Sequence, residues 1–262
     1  MGRSACIALP VIGTITSLIC LIVVGLGGTN HAFLNNLYFF RANTSQIHIK
    51  STILNLPGLP ASPVGASIPG IDLTHDSPTL VARSLGIKDF YHVSLWNYCS
   101  GDFKNGTDGV EDHVIFCSQR QNHFWFNPVD IWKLNNTVAD KLFSKELKAG
   151  LNKYKIVTNW MFVCYIAAVL STIIEILIGL TALMYRLGSV VTTIVSIISS
   201  LFLFAFALTS TILYSTLVGT FNFGTKENQI HNSLGKTIYI YTWLAVGFSM
   251  VSGFFWLVSS CC

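Results

Sequence analysis

Two cysteines carry the chemistry that the sequence indicates most clearly, because both lie in one long polar segment between the first two hydrophobic runs. Cys99 ends the motif Ser94-Leu95-Trp96-Asn97-Tyr98-Cys99, and Cys117 ends a strand-like stretch that starts at Val110. The alternation over residues 90–95 and the stretch before Cys117 predict two antiparallel strands. Asn-Gly and Asp-Gly pairs between them are hairpin-turn signals. We therefore expect a Cys99–Cys117 disulfide between the two strands.

Glu175 is the only acidic residue inside a hydrophobic run, and it lies about 15 Å along the helix from Arg186. A carboxylate in lipid is costly, so such a residue usually faces a neighbouring helix. One interpretation is a proton or ion site, or a contact with another membrane protein. The other is a protonated acid that is hydrogen-bonded to a Ser or Thr of a neighbouring helix. We favour the second, because no other charge inside the runs continues a pathway.

The third hydrophobic run supplies hydroxyl groups for such a contact. They recur at a spacing of three to four residues, which places them on one face of a helix. The residues of this face are Ser189, Thr192, Thr193, Ser196, Ser199 and Ser200. Small polar side chains let helices approach closely and form hydrogen bonds, so we expect a helix-contact face here.

Other reactive patterns are weak in this sequence. The seven histidines all lie in the two predicted outer loops, which leaves a pH-sensing role open. No histidine pair has helix ligand spacing, and no Cys-x-x-Cys, nucleophile elbow, phosphate loop or dinucleotide motif occurs. We expect no enzyme, no metal and no cofactor, although a bound lipid or sterol is compatible with the composition. There is no basic stripe, so nucleic acid is not an expected partner.

The elements that position these residues are membrane spans. Apolar residues form 52% of the chain and charged residues 11%, which is well below the usual quarter of a soluble domain. Four hydrophobic runs are long enough to cross about 30 Å of hydrocarbon. The predicted segments are an N-terminus (1–6), the first span (7–27), a large loop (28–157), the second span (158–185), a turn (186–189), the third span (190–219), a small loop (220–236), the fourth span (237–258) and an end (259–262). An amphipathic helix is predicted near 138–152, because leucines and valine recur there at helical spacing.

The two chain ends each leave alternatives open. Small residues at Gly25 and Gly27 are compatible with a cleaved signal peptide, whereas we expect a retained first span. Cysteines next to a predicted span suit S-acylation, and they are Cys6, Cys261 and Cys262. At Cys6 we favour an ordinary short tail. At Cys261 and Cys262, truncation of a longer tail is equally compatible with the sequence.

The sidedness of the loops follows from glycosylation signals and cysteine use, because the short segments show no decisive positive charge bias. Three acceptor tripeptides, at Asn43, Asn105 and Asn135, all fall in the large loop. That loop also holds only two of the seven cysteines, which suits one disulfide in an oxidising compartment. We therefore expect both loops outside the cell and both termini in the cytosol.

The large loop contains two further features. Residues 55–70 are rich in proline and glycine, which favours an irregular excursion over a proline-rich recognition segment. Residues 123–128 form an aromatic cluster, which is either a core beneath the sheet or a patch that contacts lipid or a partner. We favour the core, because exposed apolar patches are uncommon without a partner.

The motif Leu95-Trp96-x-x-Cys99, followed by Cys117 in the first outer loop of a four-span chain, resembles the claudin superfamily signature. The stretch from Phe33 to Phe39 and the full motif through Asn97, Tyr98 and Gly101 are similar to the fungal SUR/PalI tetraspan family. This resemblance implies a mainly α membrane fold, with a four-helix bundle and an extracellular antiparallel β-sheet.

The same resemblance implies a function as well as a fold. Members are plasma-membrane proteins linked to eisosomes, cell-wall integrity or ambient-pH signalling. The expected role is to organise or accompany other integral membrane proteins, including a second copy of the chain, among membrane lipids. Two alternatives stay open: an ambient-pH sensing component, and a transporter or channel subunit that uses Glu175.

Overall fold

The computed structural model describes residues 3–29, 36–45, 87–106, 109–131, 145–181, 186–224 and 232–261. The proline-rich segment 55–70 and the predicted sites Asn135 and Cys262 lie outside these residues. For Cys6, Asn105 and Cys261 only the backbone is described.

Four long helices dominate the described chain, and each is long and apolar enough to cross a membrane. They are α1 (Arg3–Gly25), α3 (Lys145–Thr181), α4 (Arg186–Gly224) and α5 (Lys236–Cys261), with a short helix α2 (Pro128–Ile131) before α3. A helix satisfies every backbone N–H and C=O within its own segment, which an apolar run in lipid requires. The predicted four-helix membrane architecture is confirmed.

Helix α3 is longer than the span predicted at 158–185. It starts at Lys145 and continues without a break to Thr181, so the described part of the predicted amphipathic segment, 145–152, and the second span form one helix. Residues 145–157 contain no proline, and their Lys, Glu, Leu and Ala residues favour helix, so nothing interrupts it. Helix α4 likewise extends to Gly224, beyond the predicted end at 219.

The helices are arranged in the cyclic order α1–α3–α4–α5, with α1 packed against α5 and, less extensively, against α3. Side-chain pairs show that α1 runs antiparallel to α3. Thr14 contacts Glu175, whereas the hydroxyl of Tyr165 donates to the carbonyl of Leu21 at 3.0 Å. Each helix therefore has two neighbours and turns its remaining face outward.

An antiparallel sheet of five strands lies at one end of the bundle. The strands are β1 (Phe40–Asn43), β2 (Phe90–Val93), β3 (Tyr98–Gly106), β4 (Gly109–Cys117) and β5 (Ser233–Leu234), in the spatial order β4-β3-β2-β1-β5. In β3 and β4, Cys99 lies directly opposite Cys117, and a bulge follows between Ser100 and Gly101. The predicted antiparallel sheet with a disulfide between strands is confirmed.

The alternation over residues 90–95 does not form the strand that carries Cys99. Strand β2 ends at Val93, and the N–H of Ser94 donates to the carbonyl of Asn97 at 2.9 Å, which closes a turn into β3. All four residues of β2 are buried, because both of its faces are covered.

The core is continuous from the sheet into the bundle. Phe39 is fully buried, and its ring stacks on Tyr214 of α4 with centroids 5.3 Å apart. The aromatic cluster at 123–128 lies on the inner side: Phe124 and Phe126 are 7% and 5% exposed, and they pack around Tyr98. The core interpretation of this cluster agrees with the structure.

Candidate functional site

The signature motif forms the turn between β2 and β3, where the sheet meets the helices. Leu95 is 1% exposed, and Trp96 points its ring at helix α3. The indole packs edge-on against Phe162, with centroids 5.0 Å apart, and against Tyr165 at 6.3 Å. Edge-to-face aromatic pairs at these distances add to the burial of apolar area. Trp96 therefore anchors the sheet to the second span.

Asn97 ties the same turn to the end of the first span. Its Nδ2 donates to the carbonyl of Gly28 at 2.9 Å and to the carbonyl of Ser118 at 3.1 Å, and the side chain is 2% exposed. Gly28 has a φ of 71°, which glycine adopts at little cost. A Cβ there would lie 2.8 Å from both Asn97 Oδ1 and Ser94 Cβ. The motif thus fixes where the chain leaves helix α1.

The disulfide closes the hairpin just above this turn. Cys99 and Cys117 are bonded, with Cα atoms 4.0 Å apart and a sequence separation of 18. A loop of that length gives about 3 kcal/mol of stabilisation in the chain-entropy model. Gly101 follows on β3, where a Cβ would lie 2.7 Å from the Phe90 ring. The motif residues predicted from sequence therefore form one structural unit.

Glu175 lies near the other end of the bundle, and it contacts the three other long helices. The residue is 2% exposed. Thr14 Oγ1 of α1 is 3.0 Å from Glu175 Oε1, 2.7 Å from Ser252 Oγ of α5 and 3.0 Å from the carbonyl of Pro10. Ser196 and Ser199 of α4 and Trp256 of α5 also face the carboxyl group. We call this set the Glu175 cluster.

The hydroxyl face predicted on the third span lies inside the bundle. Ser189, Thr192, Ser196 and Ser199 are buried, and Ser200 is half-buried. Ser199 contacts Thr172 of α3 at 2.8 Å, and Ser200 contacts Ser249 of α5 at the same distance. This face joins α4 to its two neighbours.

A charged network covers the outer side of the sheet and joins three strands. Arg41 of β1 forms an ion pair with Asp112 of β4, and His92 Nε2 of β2 lies 3.1 Å from Asp112 Oδ2. Burial alone would raise the pKa of Asp112, but the hydrogen bond to His92 and the charge of Arg41 outweigh it and lower that pKa. Tyr38 stacks on His92, which is 2% exposed.

Strand β4 forms one edge of the described sheet, and it exposes apolar side chains there. Ile115 is 48% exposed and Phe116 is 51% exposed. The backbone groups of an edge strand are available for pairing, and exposed apolar residues beside them favour association.

The sequence matches the profile of the SUR7/PalI family over residues 6–255. The chain belongs to the SUR7/PalI family. It is also 23% identical over 252 residues to the SUR7 family protein pun1 of Schizosaccharomyces pombe, a match that covers 89% of this chain and 85% of that protein. The implied fungal four-span membrane family is therefore shown.

The remaining sites predicted in this SUR7/PalI protein occupy different environments. Asn43 ends β1, and its Oδ1 accepts the N–H of Ser45 at 3.1 Å and the O–H of Ser45 at 2.8 Å. Glycosylation and S-acylation stay predictions at all six positions. In the part of the chain that the structure describes, no three His, Cys, Asp or Glu side chains form a metal-binding group.

Sequence reasoning missed three members of the Glu175 cluster in this SUR7/PalI chain. It looked for partners on the third span, whereas the direct contact to Glu175 Oε1 comes from Thr14, and Ser252 and Trp256 complete the cluster. Thr14 lies inside the first hydrophobic run and bonds to the carbonyl of Pro10 one turn earlier, so a hydroxyl group within that run was the available signal.

Proposed function

We propose that this SUR7/PalI protein is a non-enzymatic plasma-membrane tetraspan that accompanies other integral membrane proteins and organises them. Its outer loops lie outside the cell and both termini lie in the cytosol. The work includes membrane-compartment organisation of the eisosome type, support of cell-wall integrity, or service as an accessory subunit. The contact is made by the extracellular sheet, with another membrane protein or with a second copy of the chain.

The exposed apolar pair on β4 is the observation that supports this proposal most directly. Ile115 and Phe116 are each about half exposed, although they belong to a strand that the disulfide holds in the sheet. In the proposed topology the sheet lies outside the bilayer, so a protein surface is the occupant that we propose for these side chains. The hydroxyl face of α4 is already used within the bundle, so we assign the contact to the sheet and not to that face.

The experiment compares crosslinked neighbours of two variants in native fungal membranes. The double substitution Ile115→Ser and Phe116→Ser removes the apolar pair but keeps both residues on the strand. We expect the variant to reach the plasma membrane and to lose the integral membrane proteins that crosslink to the wild-type chain. The matched control replaces two exposed polar residues of the adjoining loop, Gln119→Ala and Asn122→Ala, and keeps those neighbours.

Two outcomes contradict the proposal. One is a wild-type chain that crosslinks to no integral membrane protein and runs as a monomer in mild detergent. The other is an unchanged set of neighbours after the β4 substitutions, at equal abundance in the plasma membrane. Loss of surface expression is distinguished from loss of contact by labelling intact cells with a reagent that does not cross the membrane.

The network of Arg41, His92 and Asp112 favours ambient-pH sensing as a second candidate. His92 of β2 is buried and pairs with Asp112 of β4, so a change in the charge of His92 would affect the contact between these two strands. His92→Gln should weaken the cellular response to alkaline medium, whereas His113→Gln, an exposed histidine of β4, should leave it intact. An unchanged alkaline response in the His92 variant, at normal expression, would remove this candidate.

A further inference from the structure

We propose that the Glu175 cluster is an intramembrane proton-binding site, and that the bound proton holds α1, α3 and α5 together at the end of the bundle remote from the sheet. Glu175 is 2% exposed, and the contacts of its carboxyl group come from all three other long helices. The ligand is a proton on a carboxyl oxygen, so the resting form of Glu175 is the neutral acid.

A count of hydrogen atoms supports the neutral acid. Four short oxygen–oxygen contacts link Glu175, Thr14, Ser252 and the carbonyl of Pro10, over 2.7 to 3.0 Å. The two hydroxyl groups supply two hydrogens, which is enough for two of these contacts if Glu175 is ionised. A carboxylic acid adds a third, and a continuous chain then forms: Glu175 donates to Thr14, Thr14 to Ser252, and Ser252 to the Pro10 carbonyl.

The other carboxyl oxygen has donors of its own. The hydroxyl of Ser196 and the indole N–H of Trp256 are buried and face the carboxyl group, and in the described structure neither atom makes a hydrogen bond that would compete for it. With the proton on Oε1, Oε2 is a carbonyl oxygen that has two lone pairs to accept from these two donors. The neutral acid therefore uses donors and acceptors on both sides of the group.

The ionised form has no partner of opposite charge. Segments 7–27, 158–185, 190–219 and 237–258 contain no lysine, arginine or histidine. The side chains that face Glu175 from α1, α4 and α5 are hydroxyl groups and one indole, none of which is charged. An uncompensated charge in a bundle surrounded by lipid is strongly unfavourable. Protonation neutralises Glu175 without a counter-ion, which makes the proton the ligand that this site favours.

The test is infrared spectroscopy of the full-length protein, purified into lipid nanodiscs at neutral pH. We expect the carbonyl stretch of a protonated carboxylic acid in the wild type and in the exposed-residue control Glu111→Gln. Glu175→Gln should abolish that band. Thr14→Val should shift the frequency of that band, because the acid loses the oxygen to which it donates. This variant keeps the test informative even if the Glu175→Gln variant fails to fold.

Thermal unfolding gives a second readout on the same samples. The folded chain holds a proton that Glu175 of the unfolded chain has already released at neutral pH, so wild-type stability should fall as the pH rises above about 4.3. The Gln variant should lack that part of the pH dependence. A wild-type spectrum without the acid band overturns the proposal. The proposal is also overturned if sodium stabilises the protein more than N-methylglucamine does and if this difference requires Glu175. That result would assign the site to a metal cation.

Discussion

The indole of Trp96 meets the ring of Phe162 edge-on, with centroids 5.0 Å apart, and this contact joins the sheet to helix α3. Trp96→Ala should lower the free energy of unfolding by about 3 kcal/mol, because it removes a large packed side chain and leaves a cavity. Trp160→Ala is the matched control: this tryptophan is 65% exposed on the same helix, and its loss should change unfolding little. Detergent-solubilised unfolding measures both, and equal losses would contradict the anchoring role of Trp96.

Gly28 should be sensitive to the smallest added side chain. Gly28→Ala places a Cβ 2.8 Å from Asn97 Oδ1 at a φ of 71°, and the backbone conformation alone costs about 1–2 kcal/mol. We expect a lower melting temperature and weaker formation of the disulfide, because the turn that positions Cys99 shifts. Gly247→Ala, which meets open space on helix α5, should keep or raise the melting temperature. The reverse order of the two variants would exclude this role for Gly28.

The outer charged network predicts a loss of stability in acid. The pKa of Asp112 lies below its ordinary value of 3.8, so the carboxylate stabilises the fold fully above about pH 4. The unfolded chain has the higher Asp112 pKa, so it takes up the proton first as the pH falls. The contribution is therefore lost as the pH falls through the lowered pKa of the folded chain. Asp112→Asn should flatten this part of the stability profile. Asp102→Asn should not, since its pair with Lys88 is more exposed to solvent. An identical acid profile in wild type and Asp112→Asn would contradict the assignment.

N-glycosylation of the large loop tests the prediction that this loop lies outside the cell. If the large loop is outside, Asn43, Asn105 and Asn135 are available to the glycosylation machinery, and replacing each with Gln should remove one glycan. Enzymatic deglycosylation followed by gel mobility and peptide mapping measures this directly. Asn43 provides an internal comparison, because its side chain already holds Ser45 in a local turn and is half-buried. A fully unmodified chain from fungal membranes would remove this support for an outer loop.

The four spans could be predicted from sequence because hydrophobic length is a local property. The start of α3 could not be placed, since a polar helix that continues into an apolar one changes composition without a break at residues 145–157. The disulfide was predicted because its two cysteines flank hairpin-turn signals in one loop. Of the polar partners of Glu175, only those on the third span were predicted. Thr14 was missed, because contacts between α1 and α3 depend on bundle packing.

The turn at residues 94–97 shows the limit of pattern reading in the sheet. Alternation over residues 90–95 is a strand signal, but the hydrogen bond between Ser94 and Asn97 ends β2 two residues earlier. Burial of both faces of β2 makes its pattern uninformative about orientation. Strand β5 has two residues and pairs with β1 from far along the chain, so no local signal could identify it.

Thiol labelling at Cys99 and Cys117 in intact cells tests most directly whether the sheet lies outside the cell and is closed by this disulfide. The chain used has its other five cysteines replaced, and the maleimide and the reductant both stay outside the membrane. We expect no labelling before reduction and labelling of both residues afterwards, without permeabilisation. Labelling without reduction, or only after the cells are permeabilised, would show that the two sulfurs are apart or face the cytosol, and would contradict an outer sheet closed by this bond.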